Sequence, residues 1–403
     1  MTADRSPAEP AAGHRLPEPD ADALAHSQHL AAHISEQITA HGPLPFDRFM
    51  DLALYAPGLG YYSAGARKFG ASGDFITAPE LGPAFAHALG HCLQQTMAAI
   101  ADWHLLEVGG GSGVLAADLL TALAARNVLP ARYLILEVSA DLRQRQRQTL
   151  SERCPELIDR VHWLDAPPQQ PWQGALIANE VVDALPATRF QLDEDGVFEE
   201  TVTIDPDRPD RFVRGRRPAA EGLAAMIQDR LGPLLADLPR PYASELHGQL
   251  DPWLAGLTQG LQRGLALFID YGYPRSEYYL PERRDGTLVC HYRHRAHDDP
   301  LILSGLQDIT AFVDFTALAE AGERAGLDLA GYTSQVQFLL GNDIEGYLAS
   351  LDALSFAQRL AAVHPVKALM LPGQMGERFQ VMAFSRGLET AATGFDHDLR
   401  HRL

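Results

Sequence analysis

The chain is predicted to be an α/β protein built on a mostly parallel, doubly wound sheet, and three observations predict it. Short apolar runs alternate with helical patterns from Trp103 onward, the first run opens into a dense glycine cluster, and the runs that follow end in polar or acidic residues. Alternation of this kind makes βαβ units, whose strands are covered by helices and therefore read as continuous apolar runs. Ligands of such sheets bind outside the carboxyl ends of the strands, so the residues at those ends carry the functional argument.

Taken in order, Ala23 to Ala40 follows a helical pattern that Gly42-Pro43-Leu-Pro45 breaks, and a second helix is expected from Phe46 to Leu54. Tyr55-Ala-Pro57-Gly58-Leu-Gly60-Tyr61-Tyr62 and Phe69-Gly-Ala-Ser-Gly73-Asp74-Phe75-Ile-Thr77-Ala-Pro79-Glu80 read as irregular, packed loops. A helix from Pro83 to Ile100 leads into strands near His104 to Val108, Tyr133 to Val138, Val161 to Leu164 and Ala175 to Ala178, with helices starting at Gly113 and Ala140. Two more strands are expected near Leu265 to Ile269 and Phe379 to Phe384. Between the fourth and fifth strands, Phe190 to Ile204 alternates around Glu194-Asp-Gly196 as a hairpin, and Glu221 to Ala236 reads as a helix. These expectations divide the chain into a disordered tail (1–25), an N-terminal helical and loop lid region (26–100), a core (101–386) with insertions at about 187–262 and 274–330, and a C-terminal tail (387–403).

The glycine cluster is the sharpest local signal. In Trp103-His-Leu-Leu-Glu107-Val108-Gly109-Gly-Gly111-Ser-Gly113-Val-Leu-Ala116, Gly109, Gly111 and Gly113 allow a tight turn and close approach of a ligand to the backbone. Gly111-Ser-Gly113-Val-Leu-Ala116 also fits the dinucleotide fingerprint in its G-x-G-x-x-A form. Glu107 tilts the balance, because a carboxylate just before the turn repels a pyrophosphate and suits the ammonium and sulfonium of S-adenosyl-L-methionine. Glu137, about twenty residues on at the end of the second strand, is placed for ribose hydroxyls, which both cofactors carry. Asp165 closes the third strand, where it either accepts from an adenine amino group or serves as a turn residue.

The fourth strand ends Asn179-Glu180-Val-Val-Asp183-Ala-Leu-Pro186, an amide and two carboxylates after an apolar run. If the segment turns helical, Glu180 and Asp183 share a face; helix capping is the alternative use of these residues. Asp270, Asp308, Asp314, Asp74 and Glu80 add acids from other loops. Paired carboxylates are the natural means of orienting a guanidinium, which is planar and always charged near neutral pH. His291-Tyr-Arg293-His294-Arg295-Ala-His297 matches no zinc spacing, and its arginines disfavour a cation, so no metal is expected.

Lys plus Arg is 33 against 52 Asp plus Glu, a formal net charge of −19. Such a surface repels nucleic acid and anionic lipid and favours a cationic partner such as an arginine-bearing polypeptide. The short basic groups Arg143 to Arg147 and Arg214 to Arg217 do not offset it, and the first reads as a solvated helix face. Three widely spaced cysteines, no signal core and no apolar span of about twenty residues indicate a reduced, cytoplasmic setting without membrane insertion.

The blocks Phe46 to Tyr62, Gly73 to Glu80, Asn179 to Pro186, Asp270-Tyr-Gly272, Gly286 to His294 and Gln307-Asp-Ile-Thr310 together resemble the MidA-type family, whose mitochondrial members are complex I assembly-factor protein arginine methyltransferases. The resemblance runs from about residue 27 to 386. It implies a Rossmann-like class I methyltransferase fold, S-adenosyl-L-methionine as cofactor with S-adenosyl-L-homocysteine as product, and an arginine of a core NADH:quinone oxidoreductase subunit as acceptor, in a bacterial member of the family. By residue matches it implies cofactor roles for Glu107, Gly109, Gly111, Gly113, Glu137, Asp165, Thr77, Pro79 and Glu80, and acceptor roles for Asn179, Glu180 and Asp183.

Overall fold

The computed structural model describes residues 16–64 and 77–403. Seven strands form the main sheet: β1 (His104–Val108), β2 (Arg132–Leu136), β3 (Val161–Leu164), β4 (Trp172–Asn179), β5 (Leu261–Tyr273), β6 (Asp328–Ser334) and β7 (Phe379–Arg386). Their order is β6-β7-β5-β4-β1-β2-β3, and a short piece, Val313–Asp314, pairs with the end of β5. Strands β1 to β5 are parallel. From β1 the chain first winds outward through β2 and β3, then returns to β4 and β5 on the other side. The crevice at this reversal, beyond the carboxyl ends of β1 and β4, is where an open α/β sheet binds ligands.

Helices cover both faces because the central strands are apolar on both. Ala84–Met97 and Val114–Ala125 bury Phe85, Leu89, Leu119 and Leu120 on one side. Leu250–Thr258 and Phe315–Arg324 bury Leu254, Leu257, Phe315 and Leu318 on the other. Each such side chain contributes about 1.5–3 kcal/mol on burial. These last two helices fall inside the stretches expected to be insertions, yet they are layers of the core.

The sheet departs from the sequence reading at one edge. β7 runs antiparallel to both β5 and β6, and β6 has no counterpart among the expected strands. Ser334, at the end of β6, pairs with Gln380 at the start of β7, so the helices between them stay at one end of the sheet and no crossover restores the parallel direction. β6 escapes detection because Asp328-Leu-Ala-Gly-Tyr-Thr-Ser334 has neither a continuous apolar run nor clean alternation.

Residues 188–246 build most of a second, five-stranded antiparallel sheet from Thr188–Asp193, Gly196–Ile204, Phe212–Pro218 and Tyr242–Leu246, joined by Leu44–Pro45. The helix Glu221–Leu231 packs on its Phe190, Leu192 and Tyr242 face and continues into a 3-10 turn, Gly232–Ala236. Val289–Tyr292, Arg295–His297 and Asp308–Thr310 form a small third sheet. The N-terminal helices, Ala21–His41 and Phe46–Tyr55, pack on these additions through Leu30, Ile34 and Phe49 against Val202, Cys290 and Ile309.

Both ends are more ordered than expected where they are described. Asp20 caps the first helix by accepting from Ala23 N at 2.9 Å, so regular structure begins inside the expected tail, whose residues 1–15 lie outside the described ones. The C-terminal segment lies on the core: Leu399 N donates to Tyr332 O at 2.7 Å, Thr333 Oγ1 donates to His397 O at 2.7 Å, and Phe395 is buried against Phe338.

Candidate active site

A cavity of about 890 Å³ opens beyond the carboxyl ends of β1, β2, β4 and β5. One end is built around the glycine turn. Gly109, Gly111 and Gly113 have φ of 68°, 50° and 84°, left-handed values that favour glycine. A Cβ on Gly113 would also lie 2.9 Å from Gln146 Cα. Gly113 therefore shapes the turn and starts the helix Val114–Ala125, while Gly109, Gly111 and Ser112 line the cavity.

Glu107 sits in β1 between Ile135 of β2 and Ile177 of β4, nearly inaccessible to solvent. Burial pushes its carboxyl up to about 8, opposed by a hydrogen bond from Tyr133 Oη at 2.9 Å. Glu137 accepts from Ser139 N at 3.0 Å and from Gln146 Nε2 at 3.1 Å. Gln146 also donates to Gly111 O at 3.1 Å and accepts from Trp163 Nε1 at 2.8 Å, so one fully buried amide ties Glu137 to the glycine turn. The Arg143–Arg147 stretch was expected to be a solvated face. Its Gln146 is instead central to the site, because helix Ala140–Arg153 turns this residue inward between Leu142 and Leu150.

Thr77, Pro79 and Glu80 close this end, and Ser112 Oγ donates to Glu80. Asp165 does not reach the cavity. Its side chain is 92% exposed and accepts from Arg143 Nη2 at 2.6 Å, because edge strand β3 ends beyond the crevice. The Gly73 to Ile76 part of the lid block, with Asp74, lies outside the described residues.

The other end of the cavity is acidic and aromatic. After β4 the chain makes a turn rather than a helix, with Glu180 at φ 52°, a strained value for a residue with a side chain. Glu180 and Asp183 are brought together by Asp270, whose Oδ2 accepts from the amides of Val181, Val182 and Asp183 at 3.2, 3.0 and 3.2 Å. Its Oδ1 accepts from Tyr271 N at 2.9 Å. Asp270 is thus consumed by backbone. Replacing it with Ala leaves those buried N–H groups without an acceptor, each costing about 1–3 kcal/mol. Asp270→Ala is expected to lose about 3 kcal/mol or more, read as a lowered denaturant midpoint in equilibrium unfolding.

Glu180 accepts from Asn179 Nδ2 at 3.1 Å and Ala78 N at 3.4 Å; burial and the neighbouring Asp183 push its carboxyl up to about 8. Asp183 is raised to about 6 by burial, against a hydrogen bond from the Tyr271 hydroxyl. Asp183 Oδ1 and Asn179 Oδ1 are buried without a hydrogen-bond partner among the described residues. Around them stand Tyr55 and Tyr62, stacked at 5.5 Å, and Tyr271 with Phe312, edge-on at 4.9 Å. Tyr62 Oη donates to Asp308 Oδ1 at 3.0 Å, adding a third acid at this end of the cavity. Asp314 lies outside the cavity lining, capping Phe315–Arg324 through Ala317 N at 3.0 Å and facing Arg275 at 3.4 Å.

The aromatic walls were not anticipated. Tyr55 and Tyr62, Tyr271, and Phe312 come from three separate segments, and only the interleaving of aromatics with turn residues hinted at more than packing. Among the described residues no group of three or more His, Cys, Asp or Glu is arranged to hold a metal, and no helix is long and apolar enough to cross a membrane.

The arrangement fits an adenosyl cation. The glycine-turn end offers carboxylates for a ribose diol and for an ammonium, and no Lys or Arg stands on the turn to neutralise a pyrophosphate. Residues 86–333 match the model of a family described as "Putative S-adenosyl-L-methionine-dependent methyltransferase". Curated relatives include the protein arginine methyltransferase NDUFAF7, mitochondrial, of Danio rerio, 30% identical over 87% of this chain and 85% of its own length. The Xenopus tropicalis protein of the same name is 31% identical over 87% and 84%. Among solved structures, a "likely methyl transferase" from Burkholderia thailandensis bound to S-adenosyl-homocysteine is 44% identical, with a TM-score of 0.90 over 96% of this chain and 100% of that one.

Proposed function

Since the chain belongs to this family of S-adenosyl-L-methionine-dependent methyltransferases, we propose that it methylates an arginine of a protein substrate, leaving S-adenosyl-L-homocysteine, and that the substrate is a core subunit of NADH:quinone oxidoreductase whose assembly the modification assists. The names of the curated relatives support the arginine, and the sequence blocks that resemble the MidA-type family support the assembly role. The observation that carries the acceptor assignment is the pair of orphaned buried oxygens, Asp183 Oδ1 and Asn179 Oδ1, beside Glu180. A buried acceptor without a donor costs free energy, and a guanidinium with its fork of N–H groups supplies what is missing.

The bound cofactor supplies an electrophilic methyl on a sulfonium. Glu107 and Glu80 would hold its ammonium end, and Glu137 its ribose. The rest falls to the acceptor residues. Asn179, Glu180 and Asp183 hold two guanidinium nitrogens, drawing positive charge toward themselves and leaving lone-pair density on the nitrogen aimed at the methyl. The Tyr55–Tyr62 stack and the Tyr271–Phe312 pair confine the planar group and exclude water, which fixes the line of attack and strengthens the charge interactions. Glu180, with its raised proton affinity, accepts the proton that the methylated nitrogen releases. Similarity to the bacterial protein and three buried free cysteines support a bacterial, cytoplasmic setting.

The test is mass spectrometry of the oxidoreductase subunits from cells with and without this protein. The expected result is one arginine dimethylated only when the protein is present, and reproduced in vitro by adding protein and S-adenosyl-L-methionine. Identical methylation in both strains, with no transfer in vitro, would overturn the assignment.

A further inference from the structure

We propose that Glu245 and Thr287, which belong to the inserted lobe and its connection, are positioning residues that set the acceptor end of the cavity through Phe312 and Tyr271. The proposal rests on the arginine-acceptor reading of that end and gives the lobe a part in it.

Glu245 lies in the strand Tyr242–Leu246 of the second sheet, wholly buried, and is paired with Arg189, whose side chain is 2% exposed. Its Oε2 accepts from Thr287 N at 2.8 Å and from Thr287 Oγ1 at 3.2 Å. Thr287 Oγ1 is then fully used: while donating to Glu245 it accepts from Phe312 N at 3.0 Å and meets Tyr278 Oη at 3.1 Å. Two further bonds strap the segment before it to the lobe, Ala243 N to Arg284 O at 2.8 Å and Arg189 Nη2 to Asp285 O at 3.3 Å. Gly286 completes the fit, since at φ 80° a Cβ would stand 2.1 Å from Glu245 Oε1.

Gly286, Thr287 and Phe312 all line the cavity. The Phe312 ring packs on Tyr271, which lines the cavity together with Asp183. Hydrogen bonds therefore lead from a buried ion pair in the lobe to Phe312, and ring packing carries the path on to Tyr271 in the cavity wall that Asp183 shares. Buried ion pairs are weak sources of net stability, and holding one geometry is a use for which this pair is well placed.

The test compares Thr287→Val, which keeps the shape and removes the hydroxyl, with Thr287→Ser, which restores it. Two readouts are taken: steady-state kinetics on the unmethylated substrate subunit, and titration of the Asp183 carboxyl by NMR on protein carrying 13C-labelled aspartate. Thr287→Val is expected to lower kcat/KM at least tenfold, with a raised KM for the protein substrate and an unchanged Kd for S-adenosyl-L-homocysteine, and to move the Asp183 midpoint. Thr287→Ser is expected to restore both. Glu245→Gln, which weakens the same path from its far end, should shift the Asp183 midpoint in the same direction if it folds. An unmoved Asp183 midpoint in Thr287→Val, or an equal loss of S-adenosyl-L-homocysteine affinity, would overturn the proposal. Should the parent methylate no arginine, the acceptor reading fails and the Asp183 titration alone decides whether the lobe positions that acid.

Discussion

Glu180→Gln and Asp183→Asn are each expected to lower kcat about a hundredfold to a thousandfold while S-adenosyl-L-homocysteine binds as in the parent, because groups acting on developing charge in a water-excluded site have effects of that size. Both substitutions keep the volume and exchange one acceptor oxygen for an NH2 donor, so a loss of turnover reports the negative charge and that acceptor together. The pH profile tests both positions. Burial raises both carboxyls, Asp183 to about 6 and Glu180 to about 8, so each is protonated below its value and ionises as pH rises. Arginine binding and turnover therefore increase with pH through this window and level off above about 8. With Asp270 close by, these acids titrate as a set, and the apparent midpoints belong to the set. Each substitution is expected to remove one ionisation from the set and so to change both the width and the midpoint of the rise. Single-turnover assays from pH 5.5 to 9 measure this, and a profile unchanged in both variants would remove these acids from the chemistry.

The second large effect is on the cofactor. Glu107→Gln is expected to weaken S-adenosyl-L-homocysteine about ten- to hundredfold, the range of a lost charge-assisted hydrogen bond. Titration calorimetry measures it, and affinity kept within twofold would reject Glu107 as the ammonium partner. The linkage gives an independent sign. With its carboxyl at about 8 in the empty protein, Glu107 holds a proton at pH 7 and releases it when a cation binds beside it, so parent binding enthalpies depend on the buffer and those of the variant do so less. A folded-state value raised above the unfolded one also means that the stability from this protonated group is fully present below the unfolded value and is lost as pH rises through about 8. Without cofactor, Glu107→Gln is therefore expected to match the parent in Tm near pH 4 and to exceed it at pH 9. A buried acid kept for binding at the expense of the empty fold is a common feature of functional sites.

The same acids show how far sequence reading reached. Glu107, Glu137, Asn179, Glu180 and Asp183 were legible because each ends an apolar run, and in a parallel sheet all such ends meet along one crevice. Asp165 satisfied the same rule and stands outside the cavity, because its strand is the edge of the sheet and Arg143 draws it toward solvent. Spacing suggested that Glu180 and Asp183 share a helix face. They meet in a strained turn wrapped around Asp270, an acid 87 residues beyond Asp183 that no local pattern links to them.

By itself, then, the sequence determined the strands β1 to β5, the glycine turn and the acids at the strand ends, because hydrophobic periodicity and backbone permissiveness are local properties of the chain. Only the tertiary structure decided which acids face the cavity, which are spent on backbone amides, and which aromatic side chains wall its acidic end. It also decided that Gln146, in a helix that reads as solvated, is fully buried and ties Glu137 to the glycine turn. The physical reason is the same in each case. A side chain's role follows from what it is desolvated against, and its partners here come from segments tens to hundreds of residues apart, whose meeting is fixed by packing.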